Sequence, residues 1–474
     1  MSAYDPGGFY DEAIDADGHP RAHYGAVMAA LDRADLVGVA NALGDDAEQR
    51  DVRYGEGRFR IDPVPRVLTA AEWHLLEAGI GQRVRALDAF VADLYGERAI
   101  ADGPLPAHVL EGVNHYEPDM QGALVHAGVR AGLAGLDLAR GDDGDFCVLE
   151  DNTRTPTGFA YTGAARTLRE RHLPIGSPSP LEVRARALEI VGETLRAAAP
   201  EGRDEPSVVL LSDGPENDAW YEQRETALAL GIPLVTLAQL ESRAGRLHAR
   251  VDSRSLAVDV VYRRTDEHRL RDEHGRPTAL SDALLEPIRR GTLVVVNAFG
   301  AGVADDKLVH AYVEQIVRFY LGEEPLLASV PPLDPGVPTA LDEALERLDE
   351  LVLKPRTRAG GAGIVIGPHA GAEDLERARQ ALREWPGHFV AQEQIVLSRH
   401  PTVIDGELVP RHVDLRALAG LAGGRVKVVP GGLTRLALEE GDLMVNMTQG
   451  GGIKDTWVLT DPSGQAAAGS SSSP

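Results

Sequence analysis

The chain has 474 residues, of which 43% are hydrophobic and 26% are charged. This length exceeds what one hydrophobic core usually holds, so it predicts two to four packed units and excludes a small binding module. Acidic residues outnumber basic ones by 73 to 48, and the formal net charge of -25 would repel a nucleic-acid backbone.

The cysteine count and the chain start bear on location. Cys147 is the single cysteine, which excludes an intrachain disulfide and a cysteine-rich metal site. The opening MSAYDPGGFYDEA lacks the basic and then apolar pattern of a secretory signal. The longest apolar runs, such as 293–298, have the length of a strand. We therefore expect a cytoplasmic protein with no membrane partner.

A long amphipathic helix is the first clear element. Thr69 and Glu72 form a T-x-x-E capping box. Apolar residues then recur at steps of three and four, as expected for one buried helix face: Trp73, Leu76, Ile80, Val84, Leu87, Val91 and Leu94. Two apolar runs follow, 134–138 and 146–150, separated by the turn-rich segment ARGDDGD. They predict a β-hairpin with Cys147 in its second strand.

From about residue 206, short β-branched runs alternate with helical stretches. The runs lack polar alternation, which is typical of strands buried on both faces of a parallel sheet. They lie at 208–211, 233–237, 258–262 and 293–298. This pattern predicts a Rossmann-like unit.

A smaller unit with the shape of a lid is predicted after the Pro-rich link at 330–338. It contains a helix with Leu341, Leu345 and Leu348 on one face, the strand LVLKP, the loop RAGGAGIVIG, a second helix and the strand HFVAQEQIV. The segment from HVDLRALAG to KDTWVLT predicts antiparallel strands. The end GQAAAGSSSSP predicts a disordered tail.

The hairpin carries the strongest chemical signal, three oxygen-bearing side chains. Asp137 lies near the start of one strand, while Glu150 and Asn152 end the other on one face because they are two residues apart. Mg²⁺ binds such ligands and completes its shell with waters and nucleotide phosphates. A polar strand end with a satisfied Asn-Thr turn is the alternative. Arg154, in NTRTPTG, adds a cation suited to a phosphate or carboxylate.

A second signal is Lys354 at the end of an apolar strand, followed by Gly360, Gly361 and Gly363. A lysine can neutralise phosphate charge, and a glycine loop can close its backbone N–H groups over a ligand. The spacing fits neither the P-loop nor the dinucleotide fingerprint, so a glycine-rich hairpin turn is the alternative. Lys307, in GVADDK, opens a helix that could place its ammonium near a phosphate, or it is an ordinary surface lysine.

Two later segments, which we call the polar patches, carry polar residues where buried strands would normally carry apolar ones. Arginines in rigid strands suit bidentate anion recognition, and the triple glycine of MVNMTQGGGIKDTW lets backbone approach a ligand closely. A solvated sheet face with a turn is the alternative. The first patch, HVDLR, contains Asp414 and Arg416. The second, from GGLTR to KDTW, contains Arg435, Asn446, Gly450 to Gly452 with Gly451 at their centre, Lys454 and Asp455.

Taken in order, these residues resemble a circularly permuted ATP-grasp protein. In that superfamily the magnesium motif, D…E-x-N, comes last in the chain. Before it come, in order, two lysines with a glycine loop, an adenine hinge, a D-x-R strand, an arginine and an asparagine. Here the middle pieces keep that order from Lys307 to Asn446, with VAQEQI as the hinge. The final piece, Asp137, Glu150 and Asn152, comes first instead.

From residue 9 to about 460, the chain also resembles the circularly permuted type 2 ATP-grasp proteins, described as glutathionylspermidine synthase-like carboxylate-amine ligases. The matching stretches include VLEDNTRTPTG, VVYRRTD, NAFGAGVADDK, PRHVDLR and QGGGIKDTW. The resemblance implies a fold of α/β and α+β class, with a permuted ATP-grasp core, a Rossmann-like pre-ATP-grasp domain and a small lid. The implied limits are 1–205 for the N-terminal core with its magnesium hairpin, 206–335 for the pre-ATP-grasp domain, 336–397 for the lid, 398–462 for the remaining core and 463–474 for the tail.

The resemblance implies an ATP-dependent ligase that activates a carboxylate as an acyl phosphate for attack by an amine, with ATP and Mg²⁺ as cofactors. It implies metal binding by Asp137, Glu150 and Asn152, and catalysis by Arg416, Arg435 and Arg154. It implies ligand contacts by Lys307, Lys354, Gly360, Gly361, Gly363, Gln392, Glu393, Gln394, Ile395, Asn446, Gly451 and Lys454.

Two other functions stay open on the sequence. One is an ATP-dependent phosphotransferase, which would make ADP and a stable phosphorylated product without an amine. The other is a nucleotide-binding scaffold that has lost turnover and docks a partner protein. For the ligase we expect small-molecule, peptide-like carboxylate and amine substrates and no nucleic-acid partner, while the substrates' identities and the oligomeric state do not follow from the sequence.

Overall fold

The computed structural model describes residues 4–55, 57–123, 128–176, 180–266, 269–357, 363–442, 445 and 451–460. The tail at 463–474, expected to be disordered, lies outside these ranges. None of the described helices is long and apolar enough to cross a membrane.

The largest sheet joins strands from both ends of the chain. Its strands are β3 (Ile61–Leu68), β4 (Leu133–Arg140), β5 (Phe146–Asn152), β17 (Arg399–Ile404), β18 (Glu407–Ala422), β19 (Arg425–Val428), β20 (Leu433–Leu436) and β21 (Gly452–Val458). The order is β3-β21-β20-β18-β4-β5, and β17 and β19 also pair with β18. The antiparallel β4–β5 hairpin was predicted from the sequence. Because β4 pairs with β18, the early Asp137 motif lies beside the late D-x-R strand.

Helices with one apolar face cover this core sheet. They are α1 (Gly25–Leu31), α2 (Leu36–Gln49), α3 (Ala70–Leu94), α5 (Phe159–His172) and α6 (Arg184–Ala197). α3 starts with the predicted capping box, in which Thr69 N–H donates to Glu72 Oε2 at 2.8 Å and Glu72 N–H donates to Thr69 Oγ1 at 3.3 Å. Its predicted apolar stripe is buried, and each such side chain contributes about 1.5–3 kcal/mol to folding. The N-terminal part of the chain also contains β1 (Arg53–Tyr54), β2 (Gly57–Arg58) and α4 (Ala107–Leu110).

The middle of the chain forms a parallel sheet of four strands, which are β6 (Val208–Ser212), β7 (Leu234–Val235), β11 (Val260–Arg264) and β12 (Val294–Val296). Their order in the sheet is β12-β11-β6-β7. All five residues of β11 are buried, as predicted for a strand covered on both faces. The run at 233–237 forms a shorter strand than expected. The same region holds α7 (Trp220–Leu230), α8 (Ala279–Arg289), β8 (Leu240–Arg243), β9 (Arg246–Val251) and β10 (Arg254–Val258).

A four-stranded antiparallel sheet and two helices form the lid-shaped unit. Its elements are β13 (Pro332–Leu333), α11 (Pro338–Glu346), β14 (Leu351–Pro355), β15 (Val365–Ile366), α12 (Ala372–Glu384) and β16 (Phe389–Glu393). The strand order is β13-β16-β14-β15. Leu348, Leu351, Leu353 and Leu382 are buried in a small core of its own. Two helices, α9 (Lys307–His310) and α10 (Val313–Leu321), lead from the parallel sheet towards the lid.

Candidate active site

A cavity of about 610 Å³ lies between the lid sheet and the core sheet. Apolar side chains, including Leu149, Val330, Val352 and Val390, cover part of its wall and form a surface suited to a flat base. Twelve of the residues singled out from the sequence also line it: Asp137, Glu150, Asn152, Lys307, Lys354, Gln392, Glu393, Gln394, Ile395, Asp414, Arg416 and Arg435.

The β4–β5 hairpin supplies the carboxylates of one wall. Asp137 is paired with Glu150 across the two strands. Since side chains alternate along a strand, Glu150 and Asn152 reach the cavity, while Asp151 points away and pairs with Arg83 at 2.6 Å. The three side chains predicted as metal ligands therefore share one wall.

Two arginines bind Asp137 from neighbouring strands. Arg416 of β18 donates from Nε and Nη2 to the two carboxylate oxygens, both at 2.7 Å. Arg435 of β20 lies 3.0 Å from Asp137 Oδ2 and donates from Nε to Asp414 Oδ1 at 2.9 Å. Although burial opposes ionisation, the two guanidinium groups hold the pKa of Asp137 below its usual range. These contacts fix both guanidinium planes at the cavity surface.

Two lysines reach the cavity from the other side. Lys307 begins α9, where Asp306 Oδ1 caps the helix by accepting from Leu308 N–H at 2.8 Å. Lys307 Nζ lies 3.3 Å from Glu150 Oε1. Lys354 projects from β14, and burial lowers its pKa to about 8, opposed by Glu150 and assisted by Lys307. An anionic ligand would favour the charged form of Lys354.

Arg356 fastens the strand that carries Lys354 to the helix that carries Lys307. Its Nε donates to both carboxylate oxygens of Asp306, at 2.9 and 2.7 Å. Its other nitrogens donate to backbone carbonyls within 108–111. Because Asp306 caps α9, this ion pair couples the lid to Lys307. Sequence reasoning assigned Arg356 no role, since its partner lies 50 residues away in the chain.

Lys454 makes a structural contact where a ligand contact was expected. It is fully buried, forms an ion pair with Asp62 and donates to the Pro401 carbonyl at 3.0 Å. Burial lowers its pKa, against the attraction of Asp62. A buried Asp62 carboxylate without a cation would be costly, so Lys454 serves the core sheet and does not line the cavity.

Three further predicted residues are described by the structure but do not line the cavity. Arg154 donates from Nη1 to His115 Nε2 at 2.9 Å, next to the cavity wall formed by Asn152. Gly363 has a φ of 76°, in the left-handed region, and Gly451 immediately precedes β21. Outside the described residues lie Gly360, Gly361 and Asn446.

Sequence reasoning missed several residues that line the cavity, among them Tyr54, Thr157, Tyr161 and His310. Thr157 lies in NTRTPTG, five residues after the predicted metal ligand Asn152, so its position in the sequence could have indicated a place at the cavity. Tyr54 and His310 come from distant elements and carry no local pattern.

The donor set fits Mg²⁺ in kind. Asp137 and Glu150 offer carboxylate oxygens, and Asn152, which also lines the cavity, offers an amide oxygen. Within the same residues, no group of three or more His, Cys, Asp or Glu side chains could hold a metal ion. The amide and the oxygens of a ligand or water would therefore complete the coordination.

The sequence model of the family described as circularly permuted ATP-grasp type 2 matches residues 65–437. The chain belongs to this family. The assignment confirms the resemblance and the fold class inferred from the sequence. ATP-grasp proteins generally use ATP and Mg²⁺. In this permuted ATP-grasp chain the carboxylate hairpin precedes the lid in sequence and meets it in space.

Related sequences extend over almost the whole permuted ATP-grasp chain. An uncharacterised protein of Synechocystis sp. is 36% identical over 474 residues, covering 97% of this chain and 98% of that protein. An uncharacterised protein of Mycobacterium tuberculosis is 39% identical over 473 residues, covering 97% and 85%. A Frankia alni protein named "Putative glutamate--cysteine ligase 2-3" is 41% identical over 478 residues, covering 97% of this chain but 54% of that longer protein.

A solved structure shares the ATP-grasp architecture. It is described as a glutathione synthetase-like effector from Globodera pallida in its apo form. The TM-score is 0.62, and the match covers 90% of this chain and 99% of that chain at 12% identity. At this identity the likeness concerns the fold alone.

Proposed function

We propose that the protein is an ATP-dependent carboxylate-amine ligase. The family assignment supports an ATP-grasp ligase, and the names of the Frankia relative and of the structural neighbour suggest carboxylate-amine ligation. The observation that carries the proposal is the convergence of two lysines and two arginines on one cavity that also holds Asp137 and Glu150. Four such cations suit a polyphosphate and a carboxylate bound side by side.

The proposed reaction has two steps. A carboxylate oxygen of the first substrate attacks the γ-phosphorus of ATP, and ADP leaves. The amine nitrogen of the second substrate attacks the acyl carbon, phosphate leaves, and the nitrogen loses a proton as the amide forms. Neither step needs a nucleophile from the protein.

The four cations divide between the parts of the nucleotide. We assign Lys307 and Lys354 to the α- and β-phosphates, because they flank Glu150 at the lid side of the cavity. We assign Arg416 and Arg435 to the transferring phosphoryl group, where fixed guanidinium groups stabilise developing charge. Mg²⁺ held by Asp137, Glu150 and Asn152 would neutralise phosphate charge when bound.

The base is assigned to the apolar part of the cavity beside β16. This strand ends at Glu393, and the next two residues, Gln394 and Ile395, line the cavity. Backbone groups just beyond a strand end are free of the strand's regular pairing and can bond the edge of a base. The apolar side chains of Val352 and Val390 support stacking at the same place.

The acceptor substrates are assigned to the end lined by Tyr54, Thr157 and Tyr161. This end of the cavity adjoins Arg416. Burial raises the pKa of Tyr54, and the positive charge of Arg416 opposes that rise. A carboxylate there would lie next to the guanidinium group assigned to the phosphoryl transfer. Two tyrosine rings also offer apolar surface to a peptide-like substrate.

Calorimetric titration with a non-hydrolysable ATP analogue, with and without Mg²⁺, tests the nucleotide site. We expect binding that strengthens with Mg²⁺ in the wild type and loses this dependence in Glu150→Gln. Glu189→Gln is the matched control, because Glu189 is exposed on α6 and does not line the cavity. No nucleotide binding to the wild type would contradict the proposal.

Hydroxylamine separates the ligase from the two alternatives. A ligase supplied with ATP, its carboxylate and hydroxylamine should release ADP and form a hydroxamate, since the amine site is bypassed. A phosphotransferase would release ADP with a stable phosphorylated product and no hydroxamate. A scaffold would bind nucleotide but release no ADP with any of the carboxylates tested as substrates.

A further inference from the structure

Thr153 follows the proposed metal ligand Asn152, and residues of the segment 297–305 bind each of its polar groups. Its backbone N–H and its hydroxyl donate to Asp305 Oδ1, the hydroxyl at 2.7 Å. The hydroxyl also lies 3.0 Å from the Ala301 carbonyl. The carbonyl of Thr153 accepts from Asn297 Nδ2. Thr153 cannot turn without breaking several buried hydrogen bonds, so the backbone that leads to Asn152 is fixed.

Asn297 also holds the other strand of the hairpin. Regular pairing between β4 and β5 ends at Gly135 and Asn152. Beyond that pair, Asn297 accepts from Leu133 N–H at 2.9 Å and donates to the Leu133 carbonyl at 2.7 Å. A backbone N–H can only donate and a carbonyl can only accept, so these contacts determine which end of the amide faces each group. The Asn297 amide therefore joins the two strands at the point where their own hydrogen bonds stop.

Thr153, Asn297 and Asp305 form a polar cluster behind the cavity wall, which we call the Thr153 cluster. Thr153 is 0% exposed and Asn297 is 2% exposed, and neither residue lines the cavity. A ligand in the cavity therefore cannot touch either of them. Any effect of these two residues on ligand binding must pass through the hairpin strands, whose ends they hold at a set separation.

We propose that Asn297 and Thr153 are positioning residues for Mg²⁺, which set the metal affinity of the hairpin by holding Asn152 in place. Groups that orient a metal ligand commonly change metal affinity 10- to 100-fold when they are removed, although they do not touch the metal. The inference rests on the proposed function, because it requires Mg²⁺ at the hairpin. Asp305 lies two residues before Lys307. One segment of the chain thus supports both the metal wall and a lysine assigned to the phosphates.

Binding of ADP with and without Mg²⁺ to matched variants tests the positioning role. Thr153→Val keeps the side-chain volume and removes the hydroxyl, Thr153→Ser restores the hydroxyl, and Asn297→Ala removes the amide. Thr402→Val is the control. Thr402 is also buried and donates its hydroxyl to a backbone carbonyl, that of His400 at 3.1 Å, but it does not line the cavity and lies on β17.

We expect Mg²⁺ to tighten ADP binding by the same factor in the wild type, Thr402→Val and Thr153→Ser. That factor should fall about fivefold in Thr153→Val and about tenfold or more in Asn297→Ala. ADP affinity without Mg²⁺ should be unchanged, because the lysines and arginines of the cavity are intact. A Thr153→Val variant that keeps the full gain from Mg²⁺ would overturn the inference, as would a variant that weakens ADP binding equally with and without Mg²⁺.

Mn²⁺ provides a direct measurement of the metal, and with the two Thr153 variants it decides the question even if Asn297→Ala does not fold. Mn²⁺ binds the same oxygen ligands as Mg²⁺, and electron paramagnetic resonance measures its free fraction. With ADP equimolar to protein, the Kd of Mn²⁺ should rise in Thr153→Val and stay at the wild-type value in Thr153→Ser. An unchanged Kd in Thr153→Val would also overturn the inference. A wild type that binds no ADP, or binds it no better with Mg²⁺, would overturn the proposed site itself before any variant is compared.

Discussion

Arg416 and Asp137 form a two-point ion pair between β18 and β4, with both hydrogen bonds at 2.7 Å. The carboxylate proposed to bind Mg²⁺ is thus also the anchor of the arginine proposed to act on the phosphoryl group. Glu150 differs because its side chain is partly exposed. Among the described residues it forms one ion pair, the 3.3 Å contact with Lys307. The two carboxylates should therefore respond differently to neutralisation.

Asp137→Asn should lower the free energy of unfolding by about 3 kcal/mol, because it leaves two largely buried guanidinium groups short of a counter-charge. Glu150→Gln should change it by less than about 1 kcal/mol, as expected for a partly exposed pair. Urea unfolding of both variants measures the difference. Equal losses in the two variants would show that Asp137 does not anchor the arginines.

Lys354→Met should stabilise the free protein and weaken nucleotide binding. Burial holds the pKa of Lys354 at about 8, so its charge costs free energy in the folded state. Removing that charge should raise the free energy of unfolding at pH 7 by about 1–3 kcal/mol, and ADP affinity should fall by about tenfold or more. Lys427→Met is the control, because Lys427 lies in a partly exposed pair with Glu193, away from the cavity. A destabilised Lys354→Met variant would argue against this cost.

The same shift gives a pH dependence with a defined sign. The pKa of Lys354 is about 8 in the folded state against 10.5 as its ordinary value, so the unfolded chain binds more protons between these limits. The destabilisation that Lys354 causes is therefore fully present below pH 8 and disappears as the pH rises from 8 to 10.5. The difference in free energy of unfolding between Lys354→Met and the wild type should therefore shrink as the pH is raised from 8 to 10.5. A difference that stays constant over this range would contradict the lowered pKa of Lys354.

Local patterns predicted much of the fold and the polar wall. The capping box of Thr69 and Glu72, the β4–β5 hairpin and the position of Lys307 at a helix start all depend on residues a few positions apart. Such signals are visible in the sequence because the interacting groups are neighbours in the chain. The resemblance to a known family then supplied the order in which these pieces meet.

Pairs that only the tertiary structure brings together left no signal in the sequence. Lys454 pairs with Asp62, 392 positions away, and His310 pairs with Asp151, 159 positions away. A buried lysine in a structural ion pair has the same sequence appearance as one that binds a ligand. The partner, and not the lysine or the glycines beside it, decides the role.

Glu12 should make the protein sensitive to acid. It is buried, and although burial raises its pKa, Arg66 and Arg140 lower it to about 2. Its contribution to stability is present above its ordinary pKa of 4.5 and is lost as the pH falls from 4.5 to 2. Glu12→Gln should cost about 3 kcal/mol at pH 7 and flatten the acid limb of the stability curve. An acid limb identical to that of Glu189→Gln would refute the assignment.

Arg356 should act on the nucleotide through Lys307. Its ion pair with Asp306 couples the lid strand to the cap of α9, so Arg356→Met should weaken ADP binding several-fold without touching the ligand. In a Lys307→Met background the same change should have little further effect, since the group it positions is gone. Arg377→Met is the control, because Arg377 is an exposed arginine of the lid. Losses that add in the double variant would mean that Arg356 and Lys307 act independently.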